Sequence, residues 1–165
     1  MRFYADKTSL TLTSPSVDAT IAIGDAIGRH ATKGLVVALC GSLGMGKTHL
    51  TKGIARGLGV AGWQRVHSPT FTLLTIHRDG RLPLYHMDFY RLESASQMPP
   101  EMIEAIESGE GVCVIEWADR FARGIPENAA RLNVLIEDSG GDNRRLALSG
   151  AGYDTAALFA TLRAK

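Results

Sequence analysis

Residues 35–48 indicate the fold class of the chain, and they read Leu-Val-Val-Ala-Leu-Cys-Gly-Ser-Leu-Gly-Met-Gly-Lys-Thr. Its first six residues are apolar at every position, which is typical of a central strand that is covered on both faces. The glycines that follow predict a tight turn, and the sequence from Lys47 to about Leu58 predicts a helix. A strand, a glycine-rich turn and a helix in this order form a phosphate-binding loop.

The turn matches the pattern G-x-x-x-x-G-K-[ST] at Gly41, Gly46, Lys47 and Thr48. Glycines let backbone N–H groups turn toward phosphate oxygens, and the positive end of the following helix attracts the same oxygens. The lysine adds a charge at the β and γ phosphates, and the threonine hydroxyl is a ligand for Mg²⁺. A glycine-rich turn that only caps a helix is the alternative. The residues predicted to bind nucleotide in the loop are Gly41, Ser42, Leu43, Gly44, Met45, Gly46, Lys47, Thr48 and His49.

The sequence favours ATP over GTP as the nucleotide. A GTPase reads guanine with an Asn/Thr-Lys-x-Asp segment downstream of the phosphate loop, and the chain has no such segment. The string Asp25-Ala26-Ile27-Gly28 matches Asp-x-x-Gly, but it precedes the loop and falls within a predicted helix. We therefore expect Mg-ATP as the cofactor.

The rest of the chain predicts alternating strands and helices. An Asp79-Gly80 turn between two extended stretches indicates a β-hairpin within residues 66–90. Ser14-Pro15 is the expected start of the first helix, with Val17, Ile21 and Ile27 on one face. Strands are expected at residues 8–13, 35–40, 112–115, 131–136 and 145–148, and helices at about 14–30, 47–58, 98–108 and from 153 onward. These elements predict one α/β domain over residues 1–165, of the P-loop NTPase type, with a mostly parallel sheet, flanking helices and an added antiparallel hairpin.

Two carboxylates follow predicted strands and are candidates for the chemistry. Asp88 comes after residues 84–87, and Glu116 comes after the more strictly apolar residues 112–115. Phosphoryl transfer needs an acid at this edge of the sheet, to hold the metal or to orient the attacking water. A solvated acid at a strand end is the alternative for either residue.

Composition limits the range of partners. Lys plus Arg number 18 and Asp plus Glu number 17, so the net charge of +1 provides no broad attraction to nucleic acid. If RNA is involved, we expect another protein to hold most of it. Residues 1–7 lack the apolar core of a signal peptide, and residues 35–40 are too few to span a bilayer. These features predict a cytoplasmic protein without a membrane segment.

Four segments together resemble the TsaE family, the ATPase subunit of the bacterial machinery that makes threonylcarbamoyladenosine in tRNA. They are GSLGMGKT at 41–48, SPTFTL at 68–73, MDFYRL at 87–92 and IEWAD at 115–119. The resemblance implies two protein partners, the transferase subunit TsaD and its inactive relative TsaB. It implies contact with tRNA only through that complex.

The resemblance also implies roles for particular residues. Thr70 would lie near the γ phosphate in a switch-like loop, and Asp88 would face that phosphate or its attacking water. Thr48 and Glu116 would hold Mg²⁺, and Trp117 would pack beside the nucleotide. Thr70, Asp88 and Glu116 are therefore the expected catalytic residues. From the residues alone, the loop at 68–70 is only a turn.

The chain departs from the family pattern at two positions. Ser42 stands where the family often has Asp, and His49 replaces a frequent hydroxyl residue. Loss of the acid at position 42 could alter turnover or partner contact. Two other functions stay open at this point. A small-molecule kinase would need an acceptor pocket and a mobile basic lid. No Arg-rich lid segment is evident in the sequence, although Arg120 and Arg123 are candidates. A nucleotide-gated binding module would have no meaningful turnover.

Overall fold

The computed structural model describes residues 8–165. The expectation for the first seven residues lies outside this range. Within it, the α-helices are α1 Val17–His30, α2 Lys47–Gly57, α3 Pro100–Ser108 and α4 Ala156–Arg163. The strands are β1 Ser9–Ser14, β2 Val36–Cys40, β3 Leu74–His77, β4 Leu84–Asp88, β5 Val112–Glu116, β6 Arg131–Asp138 and β7 Arg144–Ala151.

The seven strands form one sheet in the order β1-β7-β6-β2-β5-β4-β3. Its four central strands, β6, β2, β5 and β4, are parallel. The predicted α/β class with a mostly parallel central sheet is confirmed. The antiparallel part is larger than one hairpin, because β3 pairs with β4, β7 pairs with β6, and β1 pairs with β7.

Alternation along the strands divides the core between the two faces of the sheet. Val37 and Leu39 of β2 pack with α1, α2 and α4 on one face, whereas Val36 and Ala38 pack with α3 on the other. Strand β2 is buried on both sides, as its apolar sequence predicts. No helix within residues 8–165 has the length and apolarity needed to cross a membrane.

Helices α1 and α2 pack unusually close together through glycines. A Cβ built on Gly24 would lie 2.9 Å from the Gly53 Cα, and one built on Gly28 would lie 2.9 Å from the Gly57 Cα. Such distances leave no room for a side chain between the helix backbones. This contact sets the position of α2, and α2 begins with the lysine and threonine of the phosphate loop.

The start of α1 differs from the prediction. Ser16, not Ser14, caps the helix by accepting a hydrogen bond from the Ala19 backbone, since Ser14 is still paired in β1 and is buried there. Val17 was expected to share one face with Ile21 and Ile27, but it is 50% exposed, whereas Ile21 and Ile27 are buried. Val17 is the first residue of α1 and lies at the end of the helix. Residues 66–73, expected to be extended, form a loop before β3.

Candidate functional site

The phosphate loop joins β2 to α2 and needs glycine at particular positions. At Gly41 the backbone has φ of 147°, and a Cβ would lie 2.5 Å from the carbonyl oxygen of Ile136. Gly44 and Gly46 have φ of 77° and 104°, in the left-handed region that L-residues rarely adopt. Gly46 is the N-cap of α2 and has no side chain to cap the helix. The first-turn N–H groups of α2 lack intrahelical acceptors, as is usual at a helix start, and can bind an anion.

A cavity of about 410 Å³ opens beside this loop. That volume falls in the range of small-molecule sites, which is about 300–1,000 Å³. The carboxyl ends of β4 and β5 form its base. Its lining residues are Leu43, Gly44, Gly46, Lys47, Thr48, His49, Ser68, Thr70, Asp88, Tyr90, Glu116 and Trp117.

The two predicted acids lie side by side in this cavity. Asp88 and Glu116 are the last residues of β4 and β5, and they are register partners in these parallel strands. Their exposed fractions are 1% and 2%, so both carboxylates are almost entirely buried. The Thr48 hydroxyl donates to Glu116 Oε1 at 2.9 Å, and this bond joins the first turn of α2 to the end of β5. The predicted metal ligands are therefore in direct contact.

A histidine that sequence analysis did not identify holds the other oxygen of Glu116. The Nε2 atom of His86 lies 2.7 Å from Glu116 Oε2, and the imidazole is fully buried. An ionised carboxylate only accepts hydrogen bonds, so His86 is the donor. The sequence signal was available, since His86 precedes Asp88 by two residues and strand alternation places both on one face.

Asp88 connects the loop at residues 68–70 to the sheet. Its Oδ2 accepts hydrogen bonds from Ser68 Oγ at 2.5 Å and Thr70 Oγ1 at 3.1 Å. Its Oδ1 accepts from the Tyr90 backbone N–H at 2.7 Å. Thr70 thus lies beside Asp88 at the cavity, and Ser68 is a second contact that sequence analysis did not assign. The carboxylate anchors the predicted switch-like loop.

Lys47 and Trp117 form the cationic and aromatic part of the cavity. The ammonium of Lys47 donates to the carbonyl oxygens of Gly41 and Ser42 at 2.6 and 2.8 Å, and it lies 4.0 Å from the centroid of the Trp117 ring. Trp117 has φ of 58°, an uncommon value for a residue other than glycine, and it contacts the Tyr90 ring at a centroid distance of 4.9 Å. The tight turn after β5 thus directs the indole toward the phosphate loop.

Burial and neighbouring charges shift two pKa values in the cavity. Burial would raise the pKa of Glu116, but the hydrogen bond and charge of His86, with hydrogen bonds from Thr48 and Ser68, outweigh burial and lower it. Burial lowers the pKa of Lys47, and the carboxylates of Glu116, Asp119 and Asp88 oppose that effect. The lowered Glu116 pKa keeps this carboxylate ionised at neutral pH, as a metal ligand must be.

The other loop residues take different positions. Gly41 and Ser42 provide the carbonyls that bind Lys47, whereas Leu43 is 79% exposed at the cavity edge. The side chain of Met45 packs against the apolar core, and this residue lines a second cavity across the loop. His49 borders both cavities. Every predicted site residue except Gly41, Ser42 and Met45 therefore lines the cavity beside the two acids.

The donor set suits a magnesium ion that is bound together with a nucleotide. Within residues 8–165 no group of three or more His, Cys, Asp or Glu side chains is arranged to hold a metal by itself. Mg²⁺ is commonly bound by one or two protein oxygens plus substrate phosphates. Thr48 and Glu116 supply such oxygens beside the loop and Lys47.

Known proteins are similar to this chain over most of its length. The family model "Threonylcarbamoyl adenosine biosynthesis protein TsaE" matches residues 14–146. The tRNA threonylcarbamoyladenosine biosynthesis protein TsaE of Bacillus subtilis is 40% identical over 135 residues, which is 82% of each chain. The protein of the same name from Treponema pallidum is 40% identical over 136 residues, covering 82% of this chain and 97% of its own.

A solved structure has the same fold. The crystal structure of Bacillus subtilis YdiB superposes with a TM-score of 0.78 and 33% sequence identity, covering 95% of this chain and 97% of that one. The family match covers more than half of the chain, and the relatives are similar over most of their length. The chain therefore belongs to the TsaE family of threonylcarbamoyl adenosine biosynthesis proteins.

Proposed function

We propose that this protein binds Mg-ATP in the cavity beside the phosphate loop and hydrolyses it, in support of threonylcarbamoyl modification of adenosine in tRNA. The observation that carries this proposal is the hydrogen bond between Thr48 and Glu116, at 2.9 Å, beside the buried Lys47. This bond brings a hydroxyl from the phosphate-loop helix onto a carboxylate from the neighbouring strand. The tRNA modification is the one for which the similar TsaE proteins are named.

Each part of the cavity has a task toward the nucleotide. The first turn of α2 and the loop glycines bind phosphate oxygens through N–H groups. Lys47 offsets phosphate charge, and Thr48 with Glu116 holds the metal. When bound, Mg²⁺ neutralises charge that develops on the phosphates during transfer. The Trp117 ring lies over the Lys47 ammonium at 4.0 Å and forms part of the cavity wall.

Asp88 and Thr70 act at the phosphate that is transferred. Asp88 is 1% exposed, and its carboxylate holds the loop that carries Ser68 and Thr70. In this role it fixes two hydroxyls at the cavity and orients the attacking water. Because the Asp88 carboxylate joins this loop to the end of β4, a change at the bound nucleotide would alter the loop and the protein surface that it forms.

Turnover by the isolated chain should be slow, because a cation that such reactions often use is lacking. Among the described residues that line the cavity, Lys47 is present but no arginine is. The Arg91 guanidinium lies over the exposed ring of Phe71, and Arg120 lies over Tyr90. P-loop enzymes frequently obtain an arginine from a partner protein, and it raises turnover by about 10³–10⁵-fold. We propose that partners of the TsaD and TsaB type supply this stimulation in the cytoplasm and hold the tRNA.

Single-turnover hydrolysis tests the proposal. Purified protein in excess over Mg-ATP should hydrolyse the nucleotide slowly alone and faster in the complex with both partners. A Lys47→Ala protein serves as the control that separates hydrolysis in this cavity from contaminating activity. Fast turnover that the partners leave unchanged would instead favour an autonomous kinase or ATPase, and the absence of turnover in every mixture would favour a binding module.

A further inference from the structure

His86 occupies an unusual position for a polar side chain. It lies within β4, is fully buried, and shares a sheet face with Asp88. Its neighbours in register are Thr75 on β3 and Val114 on β5. The preceding residue on the same face is Leu84, which belongs to the apolar core. An apolar side chain at position 86 would therefore continue the pattern of this strand face.

The two ring nitrogens of His86 have contrasting surroundings. Nε2 donates to Glu116 Oε2 at 2.7 Å, whereas Nδ1 is buried and has no hydrogen-bond partner among the described residues. A buried polar atom without a hydrogen-bond partner destabilises the fold. An apolar side chain would avoid that cost. The contact with Glu116 is therefore the feature that an apolar residue could not replace.

Glu116 needs such a contact to present one particular oxygen. Its side chain has three rotatable bonds, and only Oε1 is joined to Thr48. With Oε2 bound to a rigid ring on the neighbouring strand, the carboxylate cannot rotate away from the threonine hydroxyl. Groups that orient metal ligands in this manner change metal affinity or activity by about 10–100-fold when they are removed.

We propose that His86 is a positioning residue that holds the Glu116 carboxylate in place for the nucleotide-bound magnesium ion. This inference rests on the proposed function, because it requires Thr48 and Glu116 to be the metal ligands. His86 itself does not touch the nucleotide. It acts through Glu116 alone, so its loss should weaken metal binding and leave metal-free nucleotide binding intact.

Replacement by Asn and by Gln provides a matched pair of tests. The amide nitrogen of Gln reaches about as far as Nε2, whereas that of Asn reaches only as far as Nδ1. Calorimetry should measure the affinity of Mg²⁺ for protein that is saturated with ADP, and separately the affinity of ADP in EDTA. We expect His86→Asn to weaken Mg²⁺ binding about 10–100-fold. His86→Gln should recover most of that loss, and ADP affinity in EDTA should stay at the wild-type value in both variants.

Wild-type Mg²⁺ affinity in His86→Asn would overturn the inference, and so would an equal loss of ADP affinity in EDTA, which indicates a general structural defect. If His86→Asn does not fold, His86→Leu is judged by the same criterion. If neither variant has a native circular dichroism spectrum, His86 is a structural residue and the positioning role is wrong. Failure of the wild-type protein to bind ADP at all would instead refute the proposed function.

Discussion

Substitution of Gly53 by alanine should destabilise the protein, although alanine is the better helix former. A Cβ at this position would lie 2.1 Å from the Ile21 carbonyl oxygen and 2.8 Å from the Gly24 Cα, both backbone atoms of α1. Contacts under 3.0 Å are essentially never seen, so the two helices must move apart. Overpacking of this kind costs typically about 1–3 kcal/mol. Because the clash is with rigid backbone, we take the upper end of that range.

The net effect follows from two opposing terms. Overpacking lowers the free energy of unfolding by about 3 kcal/mol, and the higher helix propensity of alanine restores about 1 kcal/mol. The free energy of unfolding therefore falls by about 2 kcal/mol. For a chain of this size that loss lowers the melting temperature by about 4–8 °C. Differential scanning calorimetry measures the shift. Gly124→Ala is the control, because its nearest contact is the flexible thioether of Met98 at 3.0 Å, and its shift should stay within about 2 °C. An unchanged or higher melting temperature for Gly53→Ala would refute the packing argument.

Three further predictions concern the nucleotide site. Lys47→Ala should weaken ATP binding by about 10–150-fold, the value of a hydrogen bond to a charged group; calorimetry with a native circular dichroism spectrum checks it, and an unchanged dissociation constant contradicts it. Glu116→Gln should reduce the Mg²⁺ dependence of ATP binding, whereas Asp88→Asn should spare binding and slow single-turnover hydrolysis; wild-type turnover in both variants would show that neither acid takes part. In a Trp63→Phe protein, the fluorescence of Trp117 should change when Mg-ADP binds, and no change despite verified binding would separate this indole from the site.

Much of the fold followed from local signals. The apolar run before Gly41 predicted β2, and the Asp79-Gly80 turn predicted the β3–β4 hairpin, because strand burial and turn chemistry depend on neighbouring residues. The start of α1 was not predicted correctly from local signals. Both Ser14 and Ser16 are good helix caps, and only the pairing of β1 with β7 decides between them. That pairing joins residues from opposite ends of the chain, and no local pattern encodes it.

The residues of the candidate site were also predicted only where local sequence signals mark them. Asp88 and Glu116 were predicted because each ends an apolar strand, and the parallel register of β4 and β5 brings them together. The contacts of His86 and Ser68 with these acids were not predicted, since they depend on side-chain geometry across strands and loops. Met45 was predicted to bind nucleotide with the rest of its loop, and the packing of its side chain against the core was not predicted.

A crystal structure with Mg²⁺ and a non-hydrolysable ATP analogue would show where the nucleotide and the metal bind. The phosphates should lie on the glycine loop and the first turn of α2, with Lys47 at the β and γ phosphates. The metal should bind Thr48 and Glu116, and the terminal phosphate should face Asp88. A nucleotide bound elsewhere on the protein, or a metal that neither Thr48 nor Glu116 contacts, would contradict the assignment of this cavity as the ATP site.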